Sequence, residues 1–164
     1  MTLGACASAP PSIYNRPNSA PGPGALGSAG APYVTPPLPG QRGRMIDTAA
    51  SMLGQPYRFG GAAPGGFDCS GLVVYAAASA GIRVPRTAHE QLGFGKPIAR
   101  SQVQAGDLVF MHLAHKELHV GIAIDGERFI HAPSTGGHVR IDSLAASPYA
   151  RGYLSARRII GAEQ

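Results

Sequence analysis

Tryptophan is absent from this chain of 164 residues, and cysteine occurs only twice. Two cysteines cannot hold together a disulfide-dense scaffold. No apolar run approaches the roughly 18 residues that a membrane-spanning helix needs. Heptads are missing too, and 23 glycines exclude a coiled coil. Charge is sparse, at 14% of residues, with a net value of +5. Its basic members are scattered: only Arg157 and Arg158 are adjacent, and no aromatic stripe runs beside them. Nucleic-acid recognition calls for a concentrated patch, so this chemistry is not expected. Weak attraction to anionic polymers or lipid surfaces fits the charge better.

What is present is unevenly spread. The first 40 residues hold 9 of the 15 prolines, 6 glycines, one charged residue (Arg16) and no acid. This composition predicts a disordered leader over 1–40 and one globular domain over 41–164. About 120 residues can bury a working core without disulfides or metal. Inside the domain, Met45, Ile46, Ala49, Met52 and Leu53 recur at helical spacing and predict a helix over Arg44–Leu53. A Gly-rich loop follows over Gln55–Phe67. The apolar stretch Cys69–Ala80 predicts a buried helix with its N-cap at or beside Asp68. Thr87 and Glu90 form the capping box of a short helix. Short β-rich runs then occupy Asp107–Met111, Leu118–Asp125, Arg128–His131, Val139–Asp142 and Ser155–Ile160. Asp125-Gly126 marks a hairpin between two of them. Helices first and strands second predict an α+β fold, with N-terminal helices packed on a mostly antiparallel sheet.

Cys69 opens the buried helix, among Asp68, Ser70 and Gly71. Unpaired backbone N–H groups and the positive end of the helix dipole favour a thiolate there. An inert cysteine belongs more naturally inside the apolar run. A nucleophilic thiol needs a proton-handling partner, usually histidine. Of six histidines, His119 starts a core strand and His131 ends the strand paired with it. The hairpin places both toward one end of the sheet, though not directly opposite each other. Cys69, His119 as base and His131 as orienter follow nucleophile–base–orienter logic. His112, His115 and His119 also invite a metal reading. They run from a loop into a strand whose side chains alternate between faces, so neither a metal nor another cofactor is expected.

Taken in chain order, these residues resemble the NlpC/P60 family of cell-wall cysteine peptidases. The matching segments are Gly54-Gln55-Pro56-Tyr57-Arg58-Phe59-Gly60-Gly61, Gly66-Phe67-Asp68-Cys69-Ser70-Gly71-Leu72, Pro85-Arg86-Thr87 with Gln91, Gly106-Asp107-Leu108-Val109-Phe110, His119-Val120-Gly121-Ile122, and Phe129-Ile130-His131-Ala132. The resemblance spans about Arg44 to Ile160. It implies a compact papain-like fold and hydrolysis of amide bonds in the peptidoglycan stem peptide or cross-link. It implies Cys69 as nucleophile, His119 as general base and His131 as the group orienting that base. Tyr57 would line the cleft, and Asp68 and Ser70 would bind polar groups of the stem peptide. The segment Met111–Leu118, with two extra histidines, is a departure expected to shape the cleft rim. Two alternatives stand beside this expectation: a catalytically silent cell-wall binding module, and a secreted antibacterial amidase effector. All three catalytic positions are filled, which argues against the silent module.

The start, Leu3-Gly4-Ala5-Cys6-Ala7-Ser8, resembles a bacterial lipobox. Either signal regions stand upstream of it or the match is accidental, and the flexible tether that follows favours lipidation of Cys6. The expectation is a monomeric periplasmic domain attached to the outer membrane through Cys6, or a secreted one, with peptidoglycan as its partner.

Overall fold

The computed structural model describes residues 40–114, 117–134 and 137–161. The leader with Cys6, and His115, lie outside the described residues. No described helix is long and apolar enough to cross a membrane.

Helix α1 (Gly40–Ser51) turns Met45, Ile46 and Ala49 into the core. The Gly-rich segment after it is more ordered than a loop. It contains a small hairpin, β1 (Ala62–Ala63) and β2 (Gly66–Phe67). Two-residue strands are too short for alternation to reveal them. Helix α2 (Cys69–Ser79) is buried, with Leu72, Val73, Ala76 and Ala77 fully covered. Asp68 is its N-cap, and its carboxylate accepts from the Gly71 N–H at 2.6 Å. Helix α3 (Ala88–Leu92) carries the expected capping box between Thr87 and Glu90.

Six strands form one antiparallel sheet: β3 (Lys96–Ile98), β4 (Leu108–His112), β5 (Leu118–Ala123), β6 (Arg128–His131), β7 (Arg140–Ser143) and β8 (Tyr153–Arg158), the last entered through the short helix α4 (Tyr149–Gly152). Their spatial order is β3-β8-β4-β5-β6-β7. The architecture is therefore the expected α+β one. The final strand inserts between β3 and β4, a non-local pairing that no short-range signal announces. Arg158 closes it by gripping the buried Asp107 carboxylate with two hydrogen bonds, 2.9 and 2.8 Å. Strand β5 is buried at every position because both sheet faces are covered. Val120 and Ile122 join the core under α1 and α2, while Ala123 joins Val109, Met111, Phe129 and Tyr149 on the other face.

Gln91 ties α3 to the start of α2. It is wholly buried, and its Nε2 donates to the carbonyls of Ser70 (3.1 Å) and Pro85 (2.8 Å). Gln91→Leu removes both donors, so a loss of about 1–3 kcal/mol is expected in urea unfolding. An unchanged midpoint would show that these bonds hold nothing in place.

Candidate active site

The register explains how two strands bring two imidazoles together. Ile122 pairs with Ile130 and Ala123 with Phe129, so His119 and His131 are diagonal neighbours. Their rings meet: His119 Nε2 lies 2.7 Å from His131 Nδ1, with the ring planes nearly perpendicular. Gly121, between them on the same face, makes the room. A Cβ there would lie 2.5 Å from the Phe129 ring and 3.2 Å from the His131 Cβ.

The line of contacts continues beyond His131. Its Nε2 lies 2.8 Å from Asp142 Oδ2. The same oxygen accepts from the Tyr149 hydroxyl at 2.6 Å and from Arg140 Nε at 2.8 Å. An ionised carboxylate only accepts, so His131 donates its Nε2–H and its Nδ1 is bare. His119 must then donate its Nε2–H to that Nδ1. The remaining nitrogen of His119, Nδ1, carries a lone pair. A chain of three residues on three strands thus selects the tautomer of His119.

Both imidazoles are buried, His131 completely. Desolvation lowers His119 to about 3, helped by the charges of His131 and Arg140. Desolvation also lowers His131 to about 4, although Asp142 pulls the other way. Both rings are therefore neutral at neutral pH. Asp142 lies below its ordinary value: the hydrogen bonds from Tyr149, Arg140 and His131 outweigh its burial.

Cys69 comes from the opposite side, at the first turn of α2, half-buried and packed against the core. The N–H groups of Val120, the residue after His119, and of Ser70 face its sulfur. Among the described residues the thiol makes no direct hydrogen bond to the His119 ring, and the Cys69 N–H has no acceptor. The expectation of a resting thiolate is corrected here. Burial raises the Cys69 thiol, reinforced by the Asp68 and Glu117 carboxylates, and these outweigh the two N–H groups. The resting pair is neutral thiol and neutral imidazole.

The cavity at Cys69 has a volume of about 410 Å³ and is lined by Tyr57, Phe59, Asp68, Ser70, Arg86 and Glu117 among others. Phe59 stands 90% exposed at its edge. Tyr57 is raised by burial and by the nearby Cys69, Asp68 and Glu117. Asp68 and Ser70 are in the cavity, but not as free ligands. Arg86 holds both Asp68 oxygens, at 3.0 and 2.6 Å, and also donates to Ser70 Oγ at 3.0 Å. Gly60 and Gly71 take the remaining acceptor positions on Asp68. Gly71 itself is small for a packing reason rather than to admit substrate: a Cβ would collide with the Gly61 carbonyl of the β1–β2 hairpin.

The NlpC/P60 family pattern matches residues 54–158. The chain belongs to the NlpC/P60 family. It is similar to murein DD-endopeptidase MepH of Escherichia coli (strain K12), at 44% identity over 114 residues, covering 66% of this chain and 42% of that protein. The murein DD-endopeptidase MepS/murein LD-carboxypeptidase of the same strain is 36% identical over 120 residues, covering 73% and 63%. A solved NlpC/P60 family protein from Bacillus cereus superposes with a TM-score of 0.69 at 31% identity, covering 77% of this chain and 42% of that one. The chain thus spans less than two thirds of the length of these relatives.

Within this NlpC/P60 domain, sequence reasoning missed Asp142, Arg140, Tyr149, Arg86 and Glu117. Arg86 was legible as part of a motif, though not as the partner of Asp68. Glu117 lay in the segment expected at the cleft rim. Asp142 ended a predicted strand, but nothing local says that this strand pairs with β6 or in which register. Tyr149 reaches Asp142 only through tertiary packing.

Proposed function

We propose that this NlpC/P60 domain is a thiol-dependent peptidoglycan endopeptidase, cleaving amide bonds of the stem peptide or cross-link outside the cytoplasm. The single observation that carries the reading is the hydrogen-bonded line His119–His131–Asp142, which leaves a bare imidazole nitrogen on the strand that also faces the Cys69 sulfur. The relatives named murein DD-endopeptidases support the substrate class and favour the cross-link bond.

In this mechanism the Cys69 Sγ–H gives its proton to His119 Nδ1 as sulfur bonds to the scissile carbonyl carbon. The tetrahedral oxyanion is met by the unsatisfied Cys69 N–H at the start of α2 and by the Tyr57 hydroxyl. The imidazolium returns its proton to the leaving nitrogen, and the C–N bond breaks to give a thioester. Water, deprotonated by neutral His119, attacks the thioester and regenerates the thiol. Asp142 holds the His131 Nε2–H, and through it the His119 tautomer, during both steps. Asp68 and Ser70 contribute by fixing Arg86 at the cleft wall. Lipid attachment through Cys6 and a monomeric state belong to the same reading.

The test is muropeptide analysis. The full chain is incubated with intact diaminopimelate-type sacculi, with thiol-alkylated protein as control, and fragments are identified by mass. Thiol-dependent loss of cross-linked dimers supports the cross-link bond, and shortened stems assign the bond within the stem. No release by either preparation overturns the reading.

The pH dependence has a definite sign. In the unfolded chain His119 and His131 titrate near 6.5. In the folded chain they titrate near 3 and 4. The unfolded state therefore takes up protons between these values that the folded state refuses, and stability falls as pH drops below 6.5. Between pH 6.5 and 5 each histidine contributes a loss of up to about 2 kcal/mol, since one unit is worth about 1.36 kcal/mol. Urea unfolding at pH 7 and pH 5 checks this. The acid limb of kcat/KM is likewise expected below 6.5, because His119 stays unprotonated there.

A further inference from the structure

Among the described residues, the cavity that holds Cys69 is lined by three charged side chains, Asp68, Arg86 and Glu117. Two of them cancel: Arg86 holds both Asp68 oxygens, at 3.0 and 2.6 Å. Glu117 remains. It stands exposed just before β5, two residues ahead of His119. Among the described residues its carboxylate has no hydrogen-bond or ion-pair partner. Its backbone is fixed, because the Leu113 N–H donates to the Glu117 carbonyl at 3.0 Å and closes a short turn. The mechanism leaves this side chain unused. We propose that Glu117 is a charge filter on the acyl side of the cleft: it turns away a group that brings a second negative charge beside Cys69 and admits a neutral group of the same shape. Only the consequence for substrates rests on the endopeptidase reading above.

Position carries the argument. The leaving nitrogen takes its proton from His119, so the cavity around Cys69, Tyr57 and Ser70 receives the acyl residue. Glu117 lines this cavity and also a second one, of about 370 Å³, beside Arg140 and Tyr149. It therefore stands where the two spaces adjoin, next to the bond to be cut. Its field reaches the reacting groups, since it helps to raise both the Cys69 thiol and the Tyr57 hydroxyl. Whatever binds between those groups meets the same field. The neighbouring cations do not offset it. Arg86 is spent on Asp68 and Ser70, and Arg140 is held by Asp142 and Tyr149. Attack on the carbonyl also creates an oxyanion in this space, so a further anion there is disfavoured in the transition state too. A γ-linked glutamyl residue brings such an anion, a free carboxylate on the third carbon from the scissile carbonyl. Its α-carboxamide has the same size without the charge, and an alanyl residue has neither group. Glu117 belongs to the segment Met111–Leu118, which sets this chain apart from the family motifs, so the filter is a property of this chain.

The deciding test needs no turnover. The full chain is alkylated with iodoacetate, which is anionic, or with iodoacetamide, which is neutral. Modification of Cys69 is followed by peptide mass, so that Cys6 is counted separately. The ratio of the two rates, divided by the ratio for N-acetylcysteine amide, cancels the ionisation of the thiol. Wild type is expected to disfavour iodoacetate by about 5-fold or more, and Glu117→Gln to come within about 2-fold of the small thiol, as for one pair of like charges in wet surroundings. Salt at about 1 M is expected to weaken the discrimination in wild type. The wild-type ratio and its salt dependence need no variant to fold. An equal ratio in wild type and Glu117→Gln overturns the proposal, and so does a wild-type ratio indifferent to salt. The substrate consequence is read with two peptides that share one leaving side and carry a γ-glutamyl acyl residue, with its α-carboxylate free or as the carboxamide. In wild type kcat/KM is expected to be about 5-fold or more higher for the carboxamide, and in Glu117→Gln nearly equal for the two. Equal values in wild type overturn the proposal, and where neither peptide is cut the alkylation ratio decides. The expected alkylation ratio in a chain that releases nothing from sacculi overturns the endopeptidase reading and leaves the filter standing.

Discussion

Cys69→Ala is expected to abolish hydrolysis, lowering kcat by at least about 10⁴-fold, since removal of a nucleophile costs this much or more in comparable sites. Folding is expected to survive. The side chain is half-buried, its Cβ is retained, and the helix keeps its cap because Asp68 bonds the Gly71 N–H. The stability cost is about 1 kcal/mol, the value of one small buried group. Thermal unfolding and muropeptide release, measured on the same preparation, separate the two effects. A variant that unfolds at the wild-type temperature and still hydrolyses would remove the thiol from the mechanism.

Asp142→Ala is expected to have the next largest effect, lowering kcat on the order of 100-fold with little change in KM. His131 loses the acceptor that fixes its Nε2–H, and ring misplacement of this kind has about that cost. Arg140 and Tyr149 lose the same partner, adding about 1–3 kcal/mol of instability. Asp142→Asn is expected to be much milder. All three donors converge on one oxygen, Oδ2. An amide oxygen in that place still accepts from all of them, and the donors force the amide to turn that way. Only the negative charge is lost. The readout that a merely structural role would not move is the ¹⁵N signature of the histidines. Wild type and Asp142→Asn should both carry the His119 proton on Nε2, whereas Asp142→Ala should mix the tautomers. Equal losses in the asparagine and alanine variants would mean that the charge, not the oxygen, is what matters.

The two variants probe different depths of legibility. Cys69 announced itself. A cysteine preceded by aspartate, at the head of an apolar run, is a local signal, and the cap that Asp68 provides is local chemistry. The hairpin between β5 and β6 was equally local, because Asp125 folds back on the N–H groups of Glu127 and Arg128. That turn sets the register, and the register alone makes His119 and His131 diagonal neighbours. The helices and most strands follow for the same reason: periodicity, capping and turn residues act over a few positions.

Other features depended on distance in the chain. Strands β1, β2 and β3 have two or three residues, too few to carry a pattern. Strand β8 enters the sheet centre beside β4, about fifty residues earlier, guided by the grip of Arg158 on Asp107. The ionisation of the site was misread for the same reason. The start of a helix favours a thiolate, but burial and the carboxylates of Asp68 and Glu117 raise the thiol instead. Desolvation is a property of everything packed around a group, and no stretch of sequence records it.

By itself, then, the sequence determined the α+β arrangement and singled out Cys69, His119 and His131, the proposed nucleophile, base and orienter, because each rests on interactions between near neighbours or on an ordered set of motifs. The tertiary structure alone decided that Asp142, Arg140 and Tyr149 stand behind His131, that Arg86 occupies Asp68 and Ser70, and that both imidazoles are neutral. Each of these depends on strand pairing and burial, which are settled only when the whole chain has folded around the site.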